Sequence, residues 1–162
     1  MGSTDQAALS GAGIDRFTGR WVGAGAGHFP TIDDFEYSEE IEFAPTPKPF
    51  VTYSSRTRGL PDGRPLHMES GYLRPTPGGE LELLVSQPTG FVEIHRGTVD
   101  SEGTLALTRH TLAASPDAKP VHDVRRVMRV QGDTLTYDLW MAHGDTPLTH
   151  HLHATLHRAT DR

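Results

Sequence analysis

The chain has 162 residues, including ten histidines and no cysteine, and its formal net charge is −6. This length suits one domain that buries roughly 70 % of its unfolded surface. The lack of cysteine excludes disulfides and thiolate metal sites. The 15 Lys and Arg residues are scattered singly among 21 Asp and Glu, so the sequence offers no basic face for a nucleic acid.

Neither a targeting segment nor a membrane segment is visible in the sequence. Residues 1–13 are small and polar, without the positive start of a signal peptide. No apolar run approaches the roughly 20 residues that a membrane helix needs. We therefore expect a cytoplasmic protein with neither a membrane nor a nucleic-acid partner. Residues 1–13 predict a flexible lead, followed by one domain over residues 14–160 that begins with a short helical turn.

The first predicted strand, residues 19–28, carries glycine at alternate positions. Glycines on one face of a strand leave space into which another backbone or a flat ligand can approach closely. Trp21 has the same parity as these glycines and is predicted to plug the end of a barrel. The motif consists of Gly19, Trp21, Gly23 and Gly25, and Gly27 continues it.

The rest of the chain follows a regular rhythm of short strands and turns. Residues 28–34 predict a loop or a short helix, because Pro30 and two acidic residues interrupt the alternation. In residues 35–43, Glu39 shares the parity of the aromatic and aliphatic side chains, and the pattern predicts a half-buried antiparallel strand. Eight further strands are predicted at residues 50–58, 66–74, 81–86, 90–99, 104–111, 121–130, 134–142 and 148–158. About ten short strands separated by turn signals predict an all-β, ten-stranded antiparallel closed barrel with a ligand cavity.

The last predicted strand is rich in histidine. Four of the ten histidines lie within residues 147–157. They form either a solvated polar face or a site where one imidazole is a metal or haem ligand. Strict alternation assigns His150 to the apolar face with Leu152, and His151 to the polar face.

Several motifs in colinear order resemble the nitrobindin family over residues 14–158. The resemblance is carried by the Gly-x-Trp-x-Gly-x-Gly run at 19–25, Phe-Pro-Thr-Ile at 29–32, Phe-x-Tyr-x-Glu-Glu at 35–40, Pro-Leu-His-Met-Glu-Ser-Gly-Tyr-Leu-Arg at 65–74, Gln-Pro-Thr-Gly at 87–90 and Pro-Leu-x-x-His-Leu-x-Ala at 147–154.

This resemblance implies a barrel of the lipocalin and fatty-acid-binding-protein type that binds one haem b per chain. It further implies isomerisation of peroxynitrite to nitrate on ferric haem, binding of nitric oxide, and a monomer or homodimer. His151 matches the axial, catalytic histidine, and a bulge after Pro147 or a haem at the barrel mouth would reconcile this with the alternation; His150 is the fallback. The other residues expected to contact the haem are Thr31, Leu66, His67, Lys119 (towards a propionate), Met141 and His28.

Two other functions are compatible with the residues. A haem-free barrel could carry a hydrophobic ligand such as a fatty acid, whose carboxylate Arg125, Arg126 or Arg129 would meet. A zinc or copper site is the second, and it would need partners from other strands, because alternate residues on one strand lie roughly 6.5–7 Å apart. Its residues would come from His150, His151, His153 and His157, together with His95, His110 or His143. A nucleophilic hydrolase is poorly supported, since the chain has neither cysteine nor a Gly-x-Ser-x-Gly elbow.

Overall fold

A single closed barrel of ten strands accounts for nearly all of the ordered chain. The structure is a computed structural model that describes residues 13–160, so the predicted lead lies outside the described residues except for Gly13. The predicted ten-stranded antiparallel barrel is confirmed, and so is the short helical turn, a 3₁₀ turn at Ile14–Arg16. The strands are β1 (Gly19–Phe29), β2 (Ile32–Pro45), β3 (Val51–Gly59), β4 (Pro65–Pro75), β5 (Leu81–Ser86), β6 (Phe91–Gly97), β7 (Thr104–Ala114), β8 (Val121–Gln131), β9 (Thr134–His143) and β10 (Thr146–Arg158).

Each strand pairs with the next one along the chain, and β1 pairs with β10 to close the barrel. Closure pairs the two edges that an open sheet would expose. Alternate side chains point inwards, as in β2, where Tyr37, Ile41 and Phe43 are buried and the residues between them are more exposed. Over residues 13–160, no helix has the length and apolar character to cross a membrane.

One end of the barrel is closed by an apolar plug. The 3₁₀ turn delivers Ile14 and Phe17 into this end, where both are fully buried beside Trp21. The indole Nε1 of Trp21 donates a hydrogen bond to the Phe17 carbonyl at 2.9 Å, and the Arg158 guanidinium lies 4.2 Å from the centroid of the indole ring. Trp21 therefore lies where its parity predicts, at the end of the barrel.

The glycine face of β1 is occupied by the protein itself. A Cβ at Gly23 would overlap the backbone of β10 at Thr155, so the two strands approach closely at this point. Cβ atoms at Gly25 and Gly27 would overlap aromatic rings of β2. The expected close approach of another backbone is thus observed at Gly23. The alternative of a flat ligand on this face is wrong at Gly25 and Gly27, where the rings of Tyr37 and Phe35 fill the space.

The expectation of a loop or short helix at residues 28–34 is wrong. β1 continues to Phe29, β2 begins at Ile32, and only two residues lie between the strands. Asp33 and Asp34 belong to β2 although they break the alternation. They lie at the exposed rim with Ile32, which is 52 % exposed, where a strand need not keep one face apolar.

Candidate functional site

A cavity of about 770 Å³ opens at the end of the barrel opposite the plug. Its mouth is formed by the turns after β1, β3, β5 and β7, which contribute Thr31, Arg64, Thr89 and Lys119 to the lining. The volume lies within the range of roughly 300–1,000 Å³ that is typical of small-molecule sites. The open end of the barrel is therefore where a ligand of macrocycle size would bind.

His151 lines this cavity because β10 is irregular around it. His150 pairs with Trp140 and Leu152 pairs with Leu139, so His151 is an extra residue in β10 relative to β9. Such a bulge shifts the alternation by one residue, and both His151 and Leu152 consequently line the cavity. The assignment of His151 to the outer face by strict alternation was wrong, and a bulge after Pro147 is the reason.

The surroundings of His151 favour a neutral imidazole with one defined tautomer. Its Nδ1 lies 3.0 Å from the carbonyl oxygen of His28 and donates a hydrogen bond to it, which leaves Nε2 as the nitrogen with a lone pair. Burial lowers the pKa of His151, the neighbouring His28, His150 and His143 act in the same direction, and the hydrogen bond opposes them. The rings of Phe29 and Phe35 lie 5.4 and 6.2 Å from the imidazole, centroid to centroid. A neutral imidazole oriented through Nδ1–H is the arrangement that an axial haem ligand requires, so the residues present fit this group.

The other histidines of β10 belong to the outside of the barrel. His150 donates or accepts hydrogen bonds through both nitrogens, to Asp138 at 2.8 Å and to Nε2 of His28 at 3.1 Å. His153 contacts the same carboxylate at 2.9 Å. The side chains of these histidines do not contribute to the cavity lining. His28 must therefore be corrected as a cofactor-contacting side chain: what it provides to His151 is its backbone carbonyl.

The arrangement does not support the zinc or copper alternative. Among residues 13–160, no group of three His, Cys, Asp or Glu side chains is arranged to hold a metal ion. His95 is fully buried and bonded to Glu93 at 2.8 Å, while His157 is exposed on the outer face of β10.

The remaining predicted residues do converge on one cavity. Thr31, Leu66, His67, Lys119 and Met141 all belong to its lining. His67 is fixed by a hydrogen bond of 2.6 Å between its Nε2 and Oε1 of Gln87. Its pKa is raised, mainly by the Glu69 carboxylate, so His67 presents a partly positive group to the cavity.

Deeper in the cavity lies a charged cluster that the sequence reasoning missed, here called the Arg126 cluster. The buried Arg126 guanidinium donates to Glu69 at 2.8 and 3.2 Å and to Glu93 at 3.0 and 3.1 Å. The Gln87 amide donates to both carboxylates at 2.7 Å. Burial alone would raise the pKa of Glu69 and Glu93, but Arg126 and the other donors outweigh it and hold both pKa values below their ordinary range.

A second group of polar side chains, here called the Glu39 cluster, lines the same cavity. The buried Glu39 carboxylate accepts hydrogen bonds from Ser55 and Tyr137, each at 2.5 Å, and the Tyr137 hydroxyl lies 2.7 Å from that of Tyr37. Burial raises the pKa of Glu39 to about 7, against the opposing effect of its two hydrogen-bond donors. This carboxyl group therefore exchanges its proton near neutral pH, unlike the carboxylates beside Arg126.

A sequence signal for both clusters exists in the strand parity. Glu39 shares the parity of Tyr37 and Ile41, and Arg126 shares that of Val124 and Met128. A charge at an inward position of a barrel strand is costly unless it is paired, so each such position pointed to an internal polar cluster.

Comparisons with known proteins agree with this architecture. Residues 12–158 match the family described as "THAP4-like, heme-binding beta-barrel domain". The chain is 65 % identical over 142 residues to "Peroxynitrite isomerase 1" of Rhodococcus jostii (strain RHA1), covering 88 % of this chain and 80 % of that protein. It is 43 % identical over 143 residues to "Peroxynitrite isomerase 2" of Mycobacterium ulcerans (strain Agy99), covering 86 % and 89 %.

A solved structure has the same fold at substantial sequence identity. The crystal structure of Rv2717c from M. tuberculosis aligns with a TM-score of 0.86 and 41 % identity, covering 94 % of this chain and 97 % of that one. The match extends over the barrel and over the strands that carry His151 and its hydrogen-bond acceptor. The chain therefore belongs to the THAP4-like, heme-binding β-barrel domain family, and the resemblance to nitrobindin is confirmed.

Proposed function

We propose that this protein binds one haem b per chain through Nε2 of His151 and isomerises peroxynitrite to nitrate in the cytoplasm, as a monomer or homodimer. The observation that carries the proposal is the neutral imidazole of His151, oriented by the His28 carbonyl at 3.0 Å, in the wall of a cavity of about 770 Å³. Two relatives that are 65 % and 43 % identical bear the name peroxynitrite isomerase, which supports the choice of substrate.

The residues around His151 suit the handling of a small anion next to a macrocycle. Phe29 and Phe35 pack against the imidazole, and Met141 belongs to an apolar cluster in the cavity wall. These apolar surfaces keep water from one side of the site and strengthen electrostatic interactions there. Lys119 and His67 supply positive charge to the lining, which attracts an anionic substrate and suits a haem propionate.

Bound ferric haem would supply a Lewis-acidic iron with one open position for peroxynitrite or nitric oxide. The contribution of this chain is to hold the fifth ligand in one tautomer and to enclose the reacting fragments. His28 does this through its backbone carbonyl, since Nδ1 of His151 is committed to that acceptor. The lone pair of Nε2 thus remains free for the metal.

A carrier of fatty acids is the weaker alternative because the interior offers no available cation for a carboxylate. Arg126 is the arginine deep in the cavity, and four short hydrogen bonds commit it to Glu69 and Glu93. Arg125 lies over Trp140 at 5.1 Å, and Arg129 contacts Glu102 at 3.3 Å. A fatty-acid carboxylate would face the negative charges of the interior and would lose its hydration without compensation.

Titration with haemin tests the site, using His151→Ala and the matched control His150→Ala. Both variants remove one imidazole from adjacent positions, but only His151 lines the cavity. The wild type and His150→Ala should saturate at one haemin per chain. Because removing an outer partner of a ligand already costs roughly 10–100-fold in affinity, His151→Ala should lose more than about 100-fold. Equal binding by all three proteins would refute His151 as the ligand.

The reaction itself is measured by stopped flow on the haemin-loaded protein. We expect faster decay of peroxynitrite than in buffer, with nitrate as the product, and no acceleration by His151→Ala mixed with the same haemin concentration. Decay that depends only on total haemin, whichever variant is present, would show that free haemin is responsible. Nitric oxide binding is read from the absorption spectrum of the same samples.

A further inference from the structure

The Glu39 cluster contains a directed chain of hydrogen bonds. The hydroxyl of Tyr137 donates its single proton to Glu39 at 2.5 Å, so the contact of 2.7 Å with Tyr37 uses the Tyr37 hydroxyl as the donor. Tyr137 is half-buried and lines the cavity. This phenol therefore faces the cavity contents while its proton already points at a carboxylate.

Aromatic rings connect this chain to His151. The imidazole of His151 lies 6.2 Å from the ring of Phe35, and that ring lies 6.0 Å from the ring of Tyr37, centroid to centroid. Phe35 and Tyr37 occupy the space that Gly27 and Gly25 leave on β1, where Cβ atoms would overlap both rings. The glycine motif thus seats the aromatic side chains that separate the imidazole from the tyrosine pair.

The other tyrosines lack this combination of features. Tyr53 also donates to a carboxylate, Glu69, at 2.5 Å, but Arg126 holds the pKa of Glu69 well below its ordinary range, so Glu69 is a poor proton acceptor. Tyr72 is 48 % exposed and lies outside the cavity. Tyr137 is thus the tyrosine that combines access to the cavity with a carboxylate whose pKa, at about 7, allows it to take up a proton.

We propose that Tyr137 is a redox-active tyrosine that reduces one-electron oxidants of the nitrogen dioxide class formed in the cavity. The proposal rests on the proposed function, because peroxynitrite chemistry is the source of such oxidants. In the step, nitrogen dioxide accepts one electron from the phenol and becomes nitrite. The phenolic proton passes to the Glu39 carboxylate, which becomes a carboxylic acid, and Tyr137 becomes a phenoxyl radical. The hydrogen bond from Tyr37 then stabilises the oxygen of this radical.

Pulse radiolysis tests the proposal on the full chain without added haemin, with nitrogen dioxide generated in solution. The tyrosyl radical is followed by its absorption, and nitrated tyrosines are located by peptide mass spectrometry, since a phenoxyl radical captures a second nitrogen dioxide. We expect the radical and the nitration at Tyr137, with loss of both in Tyr137→Phe. Tyr72→Phe, which alters an exposed tyrosine outside the cavity, should leave the radical unchanged.

Glu39→Gln separates a redox role from mere accessibility. The variant keeps Tyr137 and its cavity but removes the proton acceptor, so the radical yield should fall although the phenol is still present. Nitration confined to Tyr72, or a radical signal that Tyr137→Phe does not change, would overturn the proposal. Because this experiment omits haem, slow peroxynitrite decay in the haemin-loaded protein would count against the proposed function and not against the tyrosine.

Discussion

The two halves of the barrel interior solve opposite problems. At the closed end, Ile14, Phe17 and Trp21 are fully buried and fill the space with apolar contacts. In the open half, charged side chains line a cavity, and Arg126 must balance more than one carboxylate. The contrast teaches that the plug supplies stability that does not depend on pH, whereas the open half holds polar groups whose cost depends on ionisation.

Emptying the closed end should have the largest effect. Trp21→Ala removes a fully buried indole, its hydrogen bond to Phe17 and its contact with Arg158. We expect a loss of about 5 kcal/mol in the free energy of unfolding, at the upper end for such substitutions. Urea denaturation at two pH values checks this, and the loss should be the same at both. A loss that changes strongly with pH would contradict the contrast.

Removing the central cation should unbalance the open half. Arg126→Met leaves the Glu69 and Glu93 carboxylates buried without their partner, which should cost about 4 kcal/mol at neutral pH. The matched control is Arg125→Met on the outer face, where a cation–π contact with Trp140 is worth at most about 1 kcal/mol. Equal denaturation midpoints for the two variants would show that the Arg126 cluster adds little.

Glu39 should make the stability of the open half depend on pH. Its pKa is raised in the folded protein to about 7, from an ordinary value of 4.5, so the folded state binds this proton more tightly than the unfolded state does. The stabilisation is therefore complete below pH 4.5 and is lost as the pH rises through 7. Relative to Glu39→Gln, the wild type should lose roughly 3 kcal/mol across this window.

Chemical denaturation of both proteins at several pH values measures this difference. The comparison with Glu39→Gln cancels the contributions of the other titrating groups, since both proteins contain them. A difference in unfolding free energy that stays constant from acid to neutral pH would mean that Glu39 titrates normally in the folded state.

The smallest effect is expected at His28. The contact that orients His151 comes from the backbone carbonyl of residue 28, and this carbonyl remains in His28→Ala. Stability should change by less than about 0.5 kcal/mol, as is usual for exposed side chains, and haemin affinity by about twofold or less. A large loss of haemin binding would imply that the imidazole of residue 28 itself supports the site.

The architecture was predictable because strand alternation and turn residues are local signals. The ten segments separated by Gly and Pro turns became ten strands, and the parity of residues 35–43 gave the inward face of β2. The rim at Asp33 and Asp34 escaped prediction, since both residues lie in an exposed part of β2 where burial no longer imposes a pattern.

The site was only partly predictable, for two physical reasons. The bulge that turns His151 inwards depends on the pairing of β10 with β9, and strict alternation pointed to His150 instead; the family resemblance supplied the correct residue. The Arg126 cluster joins side chains 57 and 33 positions apart. Parity marks each of them as inward-facing, but it cannot say which charges meet.

The hydrogen bond between His151 and His28 joins the last strand of the barrel to the first, 123 positions earlier. During synthesis on the ribosome, the imidazole and its acceptor meet only when β10 closes the barrel. A ligand held by His151 then binds the closed state alone and stabilises it in proportion to its concentration. A partly synthesised chain cannot retain such a ligand, so a reactive cofactor would be withheld from chains that have not yet enclosed it.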